Sequence, residues 1–200
     1  NGDSVALSTT LGSTYNLGAG NDTVATVLAT LVADGTDDTV VGFGTGSDTL
    51  TVTDAAPTLT DTHFTNVSGA ESLTLTNTGD VSVTTGGSFK TAFSDGATLT
   101  SAGGGTADSF VYAGGLFDYD TTVTVTNVAK GSNTDAAEDI TITTGDGDDT
   151  VTLTLSNFIG GETADGAAIS ITTDAGADTI TVTTGTILDQ ITSEVLTIDA

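Results

Sequence analysis

Eight times along the chain a run of four or five residues alternates threonine or serine with an aliphatic residue. The runs are Thr49-Leu-Thr-Val-Thr53, Leu73-Thr-Leu-Thr76, Val81-Ser-Val-Thr84, Thr122-Val-Thr-Val-Thr126, Ile140-Thr-Ile-Thr143, Thr150-Val-Thr-Leu-Thr154, Ile169-Ser-Ile-Thr172 and Thr179-Ile-Thr-Val-Thr183. Period-two alternation sends one set of side chains inward and the other outward, which is the pattern of a half-buried strand. Gly, Asp or Asn bounds the runs, and the chain holds 26 glycines, so long helices have little room to form. The expected fold class is all-β. Aromatic residues are only 5% of the chain and tryptophan is absent. A core of stacked aliphatic side chains suits an elongated parallel β-solenoid better than a sandwich.

One segment fits a short helix as well as a strand. Val24, Val27, Leu28, Leu31 and Val32 fall at i, i+3, i+4, i+7 and i+8, a helical stripe. Asp22 or Thr23 could cap it, while the β-branched residues favour a strand. The stretch 58–67, beside the lone proline Pro57, reads as a loop or a single helical turn. No segment has the length and composition of a linker, so residues 1–200 are expected to form one elongated domain.

Charge narrows the options further. There are 27 acidic side chains against two lysines, Lys90 and Lys130, for a net charge of −25. A compact chain with that imbalance repels itself, and two lysines cannot offset it. Disorder is one outlet, but it goes with few apolar and β-branched residues, whereas here apolar residues make up 36%. A divalent cation is therefore the expected partner. Nucleic acid is excluded, because phosphate contacts need a basic patch. There is no cysteine, hence no disulfide framework and no thiolate metal site. No apolar run approaches the roughly 20 residues that span a bilayer. The absence of methionine, even at position 1, marks the sequence as an expected fragment of a longer chain, with its export signal elsewhere.

A seven-residue pattern, Gly/Asp-x-Gly-x-Asp-Thr-aliphatic, supplies the chemistry. It reads Gly18-Ala-Gly20-Asn-Asp22-Thr-Val, Gly44-Thr-Gly46-Ser-Asp48-Thr-Leu and Gly145-Asp-Gly147-Asp-Asp149-Thr-Val, with a near copy in Asp174-Ala-Gly176-Ala-Asp178-Thr-Ile. Versions lacking the second glycine end in Asp38 and Asp108. Glycines allow positive φ and let backbone carbonyls converge. The aspartate adds a hard anionic oxygen, and a mixed carbonyl and carboxylate shell suits Ca²⁺ better than Mg²⁺. An ordinary Asx turn explains one copy; four good copies in so acidic a chain favour calcium.

These residues resemble the RTX family of calcium-binding β-roll repeats, whose nonapeptide is Gly-Gly-x-Gly-x-Asp-x-aliphatic-x. The resemblance implies a β-roll-like solenoid holding several Ca²⁺ ions between glycine-rich turns, at Asp22, Asp48, Asp149 and Asp178, with Asp38 and Asp108 as weaker matches. RTX repeats run in tandem, whereas these aspartates lie farther apart. Asp22 to Asp48, Asp80 to Asp108 and Asp149 to Asp178 are 26 to 29 residues apart, so wider rungs of several strands are expected. A second pattern, Glu-x-aliphatic-Thr-aliphatic, starts at Glu71, Glu138 and Glu194; these glutamates either complete an ion's shell or merely start a strand at the surface, and the surface reading is slightly preferred. The stretch from Asp61 to Glu71 is similar to segments of RTX-type bacterial surface-layer proteins. That likeness implies a secreted, extracellular, structural module on a bacterial cell surface.

Catalysis has little to work with. His63 is the only histidine and reads as a structural loop residue. Neither Gly-x-Ser-x-Gly nor His-Glu-x-x-His occurs. Carboxylate pairs abound, but a sugar-cleaving site normally adds Arg or Trp, and both are missing. The chain is thus expected not to be an enzyme. Two alternatives stay open: a ligand- or ice-binding solenoid using Thr-x-Thr arrays, disfavoured by their irregular spacing, and the secretion module of an RTX enzyme catalysing elsewhere. Asn1-Gly-Asp-Ser-Val5 reads as the back half of a calcium turn, and Asp199-Ala200 as a front half matching Asp174-Ala175. The module is therefore expected to continue into similar sequence, or to stack on neighbouring copies, with calcium at the junction.

Overall fold

All eight alternating runs form strands, and every strand ladder is parallel. The computed structural model describes residues 1–7, 12–31, 39–101, 109–115, 118–129, 140–159, 168–188 and 195–200. Its main sheet has eight strands in rung order: β1 (Ser4–Ala6), β3 (Thr23–Thr26), β5 (Thr49–Val52), β8 (Ser72–Leu75), β10 (Ala97–Ser101), β12 (Thr121–Ala129), β14 (Thr150–Ile159) and β16 (Thr179–Leu188). A second sheet stacks β6 (Thr58–Leu59), β9 (Val81–Thr84), β11 (Phe110–Ala113), β13 (Ile140–Thr143), β15 (Ala168–Thr172) and β17 (Val195–Asp199). A short third sheet holds β2 (Thr14–Asn16), β4 (Val40–Gly42) and β7 (Val67–Ser68). This is the expected parallel β-solenoid, with wide rungs.

The cross-section changes along the axis. One rung, from β5 through β6 to β7, visits all three sheets, whereas from β10 onward the chain alternates between the main and second sheets. Where the third sheet stops, a helix α1 (Gly87–Ala92) packs on β7 and on a 3₁₀ turn at Asp61–Phe64. Phe64, Phe89 and Phe93 meet there, fully buried, with ring centroids 4.5 to 5.9 Å apart. They fill the end of the three-sided part with three of the ten aromatic side chains of this aromatic-poor chain. Asp61, one rung earlier, accepts the N–H groups of Ser88 (3.2 Å) and Phe89 (2.9 Å) and so caps α1 across the rung gap.

The short helix therefore lies at 87–92, not at the stripe that begins at Val24. Val24 sits in β3, paired with Leu50 of β5, and Leu28–Thr30 is only a 3₁₀ turn; Val32 lies outside the described residues. A parallel partner on the next rung outweighed local periodicity, in line with the β-branched composition. The helical turn expected near Pro57 is the Asp61–Phe64 turn. Its His63 ring nitrogen Nδ1 accepts the Thr60 N–H at 3.0 Å, a capping role.

Inward positions of the main sheet carry Val24, Leu50, Leu73, Leu99, Val123 and Val151, each no more than 1% exposed. The outward positions form two columns. One is Ser4, Thr23, Thr49, Ser72, Thr98, Thr122, Thr150 and Thr179; the other is Ala6, Ala25, Thr51, Thr74, Thr100, Thr124, Thr152 and Thr181. The irregular sequence spacing had argued against such stacking, and the structure corrects that. Steps between rungs run from 19 residues (Ser4 to Thr23) to 29 (Thr150 to Thr179), and the loops absorb the difference while the strands stay in register.

Candidate metal centre

The aspartates of the turns line up into a ladder. Strand register sets Asp3, Asp22, Asp48, Glu71, Ala97, Thr121, Asp149 and Asp178 side by side, at the entry to the main-sheet strands. Each carboxylate reaches back one rung to accept a backbone N–H. Asp22 Oδ1 takes the N–H of Asp3 (2.6 Å), Asp48 Oδ1 that of Asp22 (2.7 Å) and Glu71 Oε2 that of Asp48 (2.6 Å). Farther on, Asp149 Oδ1 takes the N–H of Thr121 (2.7 Å) and Asp178 Oδ1 that of Asp149 (2.9 Å). One position earlier the direction reverses. Asn21 accepts from Ser47 (3.2 Å), Asp120 from Asp148 (3.1 Å) and Asp148 from Ala177 (2.9 Å), all one rung ahead.

Three of the ladder acids are buried, while Glu71 and Asp178 are half-buried and Asp3 is exposed. Asp22 and Asp149 are 1% exposed and Asp48 is fully buried. Asp48 spends its second oxygen on the Gly44 N–H at 3.5 Å. The second oxygens of Asp22 and Asp149 are buried with no hydrogen-bond partner. A buried, ionised and half-satisfied carboxylate is costly unless a proton or a cation completes it. Burial is the largest cause lifting the Asp149 carboxyl above the ordinary carboxylate range. The nearby Thr144 hydroxyl and the Thr121 N–H work against it, and the charges of Asp178 and Asp120 add to it.

The glycines earn their place through close approach. The turns stack so that Thr45 N–H donates to the Gly18 carbonyl and Gly20 N–H to the Thr45 carbonyl, both at 3.0 Å. A Cβ on Gly44 would overlap the Gly18 carbonyl oxygen; Gly46 stands in the same relation to Gly20, and Gly176 to Gly147. Gly18 itself has open space there but a φ of +91°, a region that favours glycine. Gly147 N–H donates to the Ala175 carbonyl (2.8 Å), and Gly145 is buried at the start of the same turn.

Measured against the sequence reading, Asp22, Asp48, Asp149 and Asp178 fall on one ladder. Asp174 is exposed at the outer end of its turn. Asp38 and Asp108, with Glu138 and Glu194, lie outside the described residues. Glu71, for which the sequence slightly prefers a surface strand start, precedes a strand but is also a ladder member. Its signal was its place: Glu71-Ser-Leu enters a strand as Asp-Thr-aliphatic does in the motif. Asp61, outside the motif, caps α1. The N-terminal half-turn aligns as expected, with Ser4 on Thr23 and Val5 on Val24. Asp199 does not reach the register of Asp174, because it pairs with Thr172 inside the second sheet.

The donors fit a hard, oxygen-seeking cation. Ca²⁺ takes six to eight oxygens, and among the described residues no three acidic or histidine side chains converge on one point. Each ion would thus be held by one or two carboxylates, with backbone carbonyls and water filling the shell. No protein-family model, no curated protein and no solved structure matches this chain. Among the described residues no helix is long and apolar enough to cross a membrane.

Proposed function

We propose that this chain is a calcium-rigidified structural module of a secreted bacterial cell-surface protein of RTX type. Its setting would be a surface-layer lattice, a filament or an adhesin stalk, beside neighbouring copies or adjacent similar domains, and its role is not catalytic. The observation that carries the reading is the pair of buried, unpartnered oxygens on Asp22 and Asp149, set in Gly-Asp turns of a chain with net charge −25. Extracellular calcium modules bind at about 10⁻⁴ to 10⁻³ M. Cytosolic calcium would leave such sites empty and the chain unfolded for export, and binding outside would drive folding. Circular dichroism and size-exclusion chromatography test this directly. In excess EGTA the chain is expected to be expanded and poor in β-structure, and millimolar Ca²⁺ to compact it. A chain equally compact in both buffers would end the proposal.

The two outward columns of the main sheet favour a second reading, an ice- or ligand-binding face. Rungs about 4.8 Å apart and alternate residues about 6.6 Å apart make a flat hydroxyl and methyl grid. None of its sixteen positions is charged, in a chain with 27 acids. On this reading the calcium-loaded protein slows ice growth, and Thr100→Lys with Thr124→Lys abolishes the effect. Ice growth unaffected by the unsubstituted protein would dismiss it.

A further inference from the structure

Resting on the calcium reading above, we infer that cation binding is divided between two separate runs of the ladder, joined by a stretch that folds without metal. Asp3, Asp22, Asp48 and Glu71 form the first run, and Asp149 with Asp178 the second. Between them the same register position holds Ala97 and Thr121, both buried and neither able to carry charge. Each run contains one orphaned oxygen, Oδ2 of Asp22 in the first and Oδ2 of Asp149 in the second. Each run therefore has its own demand for a cation. Glu71 closes the first run: its Oε2 holds the Asp48 N–H, and the next rung offers Ala97 instead of an acid.

The intervening stretch meets its needs internally. Phe64, Phe89 and Phe93 supply an aromatic core, and Asp61 caps α1. Ser101 Oγ donates to Asn77 Oδ1 at 2.8 Å, an uncharged buried bridge between rungs. Lys90, on α1, pairs with Asp118 of the turn that follows β11, so this stretch brings its own cation. In a solenoid each rung contacts only its neighbours, and stability is nearly a sum of local terms. Two runs separated by two rungs with no charge at the ladder position should accordingly take up metal independently.

Hydrogen exchange during a Ca²⁺ titration reads each region separately, and amide isosteres keep the oxygen that accepts the previous rung's N–H while removing its charge. In EGTA, amides of residues 81–101 are expected to stay protected, whereas 14–52 and 140–183 gain protection only as Ca²⁺ is added. Asp22→Asn should raise the calcium midpoint of 14–52 about tenfold or more, as expected for the loss of one charged ligand, and leave 140–183 unchanged. Asp149→Asn should do the reverse. Glu71→Gln should follow Asp22→Asn, and it answers the same question if Asp22→Asn does not fold. Equal shifts in both regions from any one variant, or no shift from Glu71→Gln, would overturn the division. So would protection of 81–101 that appears only with calcium. Those outcomes leave the calcium reading standing, whereas a chain that takes up no Ca²⁺ brings down both.

Discussion

Gly44→Ala is expected to damage the fold far more than Gly18→Ala, although both glycines open the same turn in successive rungs. At Gly18 a methyl meets nothing within 4 Å, and its cost is the positive φ alone, about 1–2 kcal/mol. At Gly44 the methyl would overlap the backbone carbonyl of Gly18, the same carbonyl that accepts the Thr45 N–H. Backbone cannot swing aside as a flexible side chain would. Relief requires the two rungs to separate, with loss of the Thr45 bonds on both sides of the turn. The expected loss is about 4 kcal/mol or more, in the range where one substitution unfolds a marginal domain. Gly176→Ala should behave like Gly44→Ala, since it faces the Gly147 carbonyl in the same way. Urea unfolding of the calcium-loaded variants measures all three. Equal losses for Gly18→Ala and Gly44→Ala would mean that the glycines serve backbone angle alone.

That contrast also shows what the sequence could and could not reveal. Alternation identified eight strands because each half-buried strand repeats its own inside-outside pattern locally, as in Thr49–Val52 and Ile140–Thr143. The 26- to 29-residue intervals between aspartates anticipated the wide rungs, since Asp22 with Asp48 and Asp149 with Asp178 are true register neighbours. What one strand cannot encode is its neighbour. Val24 follows a helical stripe, yet its partner Leu50 makes it a strand residue. Helix α1 went unread because its hydrophobic signal is only Phe89 and Phe93, and its cap, Asp61, comes from another rung. The threonine columns were hidden for the same reason: unequal loops mask equal stacking.

The two ladders give the turn a mechanical logic. At the strand entry, side chains point back a rung; one residue earlier, at Asn21, Asp120 and Asp148, they point forward. The turns before Thr23 and Thr150 are thus tied to both neighbours through acids and amides, not through basic groups. Such a tie brings like charges close together, as Asp120, Asp149 and Asp178 show. Neutralising them would relieve that repulsion, and a proton can do so as well as a metal ion.

Acid is therefore expected to do for the metal-free chain part of what calcium is proposed to do at neutral pH. Burial raises the folded-state pKa of Asp149 above its ordinary value. The stability linked to that group is fully present below its unfolded pKa, about 3.9, and is lost as pH rises through the folded value. Protonation of other carboxylates also relieves the −25 self-repulsion. Asp61 works the other way. Burial pushes its carboxyl up, but the N–H groups of Phe89 and Ser88 outweigh that and hold it below the usual range. Its contribution is present above the unfolded pKa and is lost as pH falls through the folded one, so strong acid releases the cap on α1. In EGTA, compactness and β-content should rise as pH falls from 7 to about 4.5 and decline again in stronger acid. Asp149→Asn, which removes the buried charge and keeps an acceptor for the Thr121 N–H, should depend less on pH than the parent in EGTA. Circular dichroism at dilute concentration follows both chains; a metal-free parent that stays expanded at pH 4.5, or a variant with the parent's pH profile, would show that buried carboxylate charge does not hold the fold open.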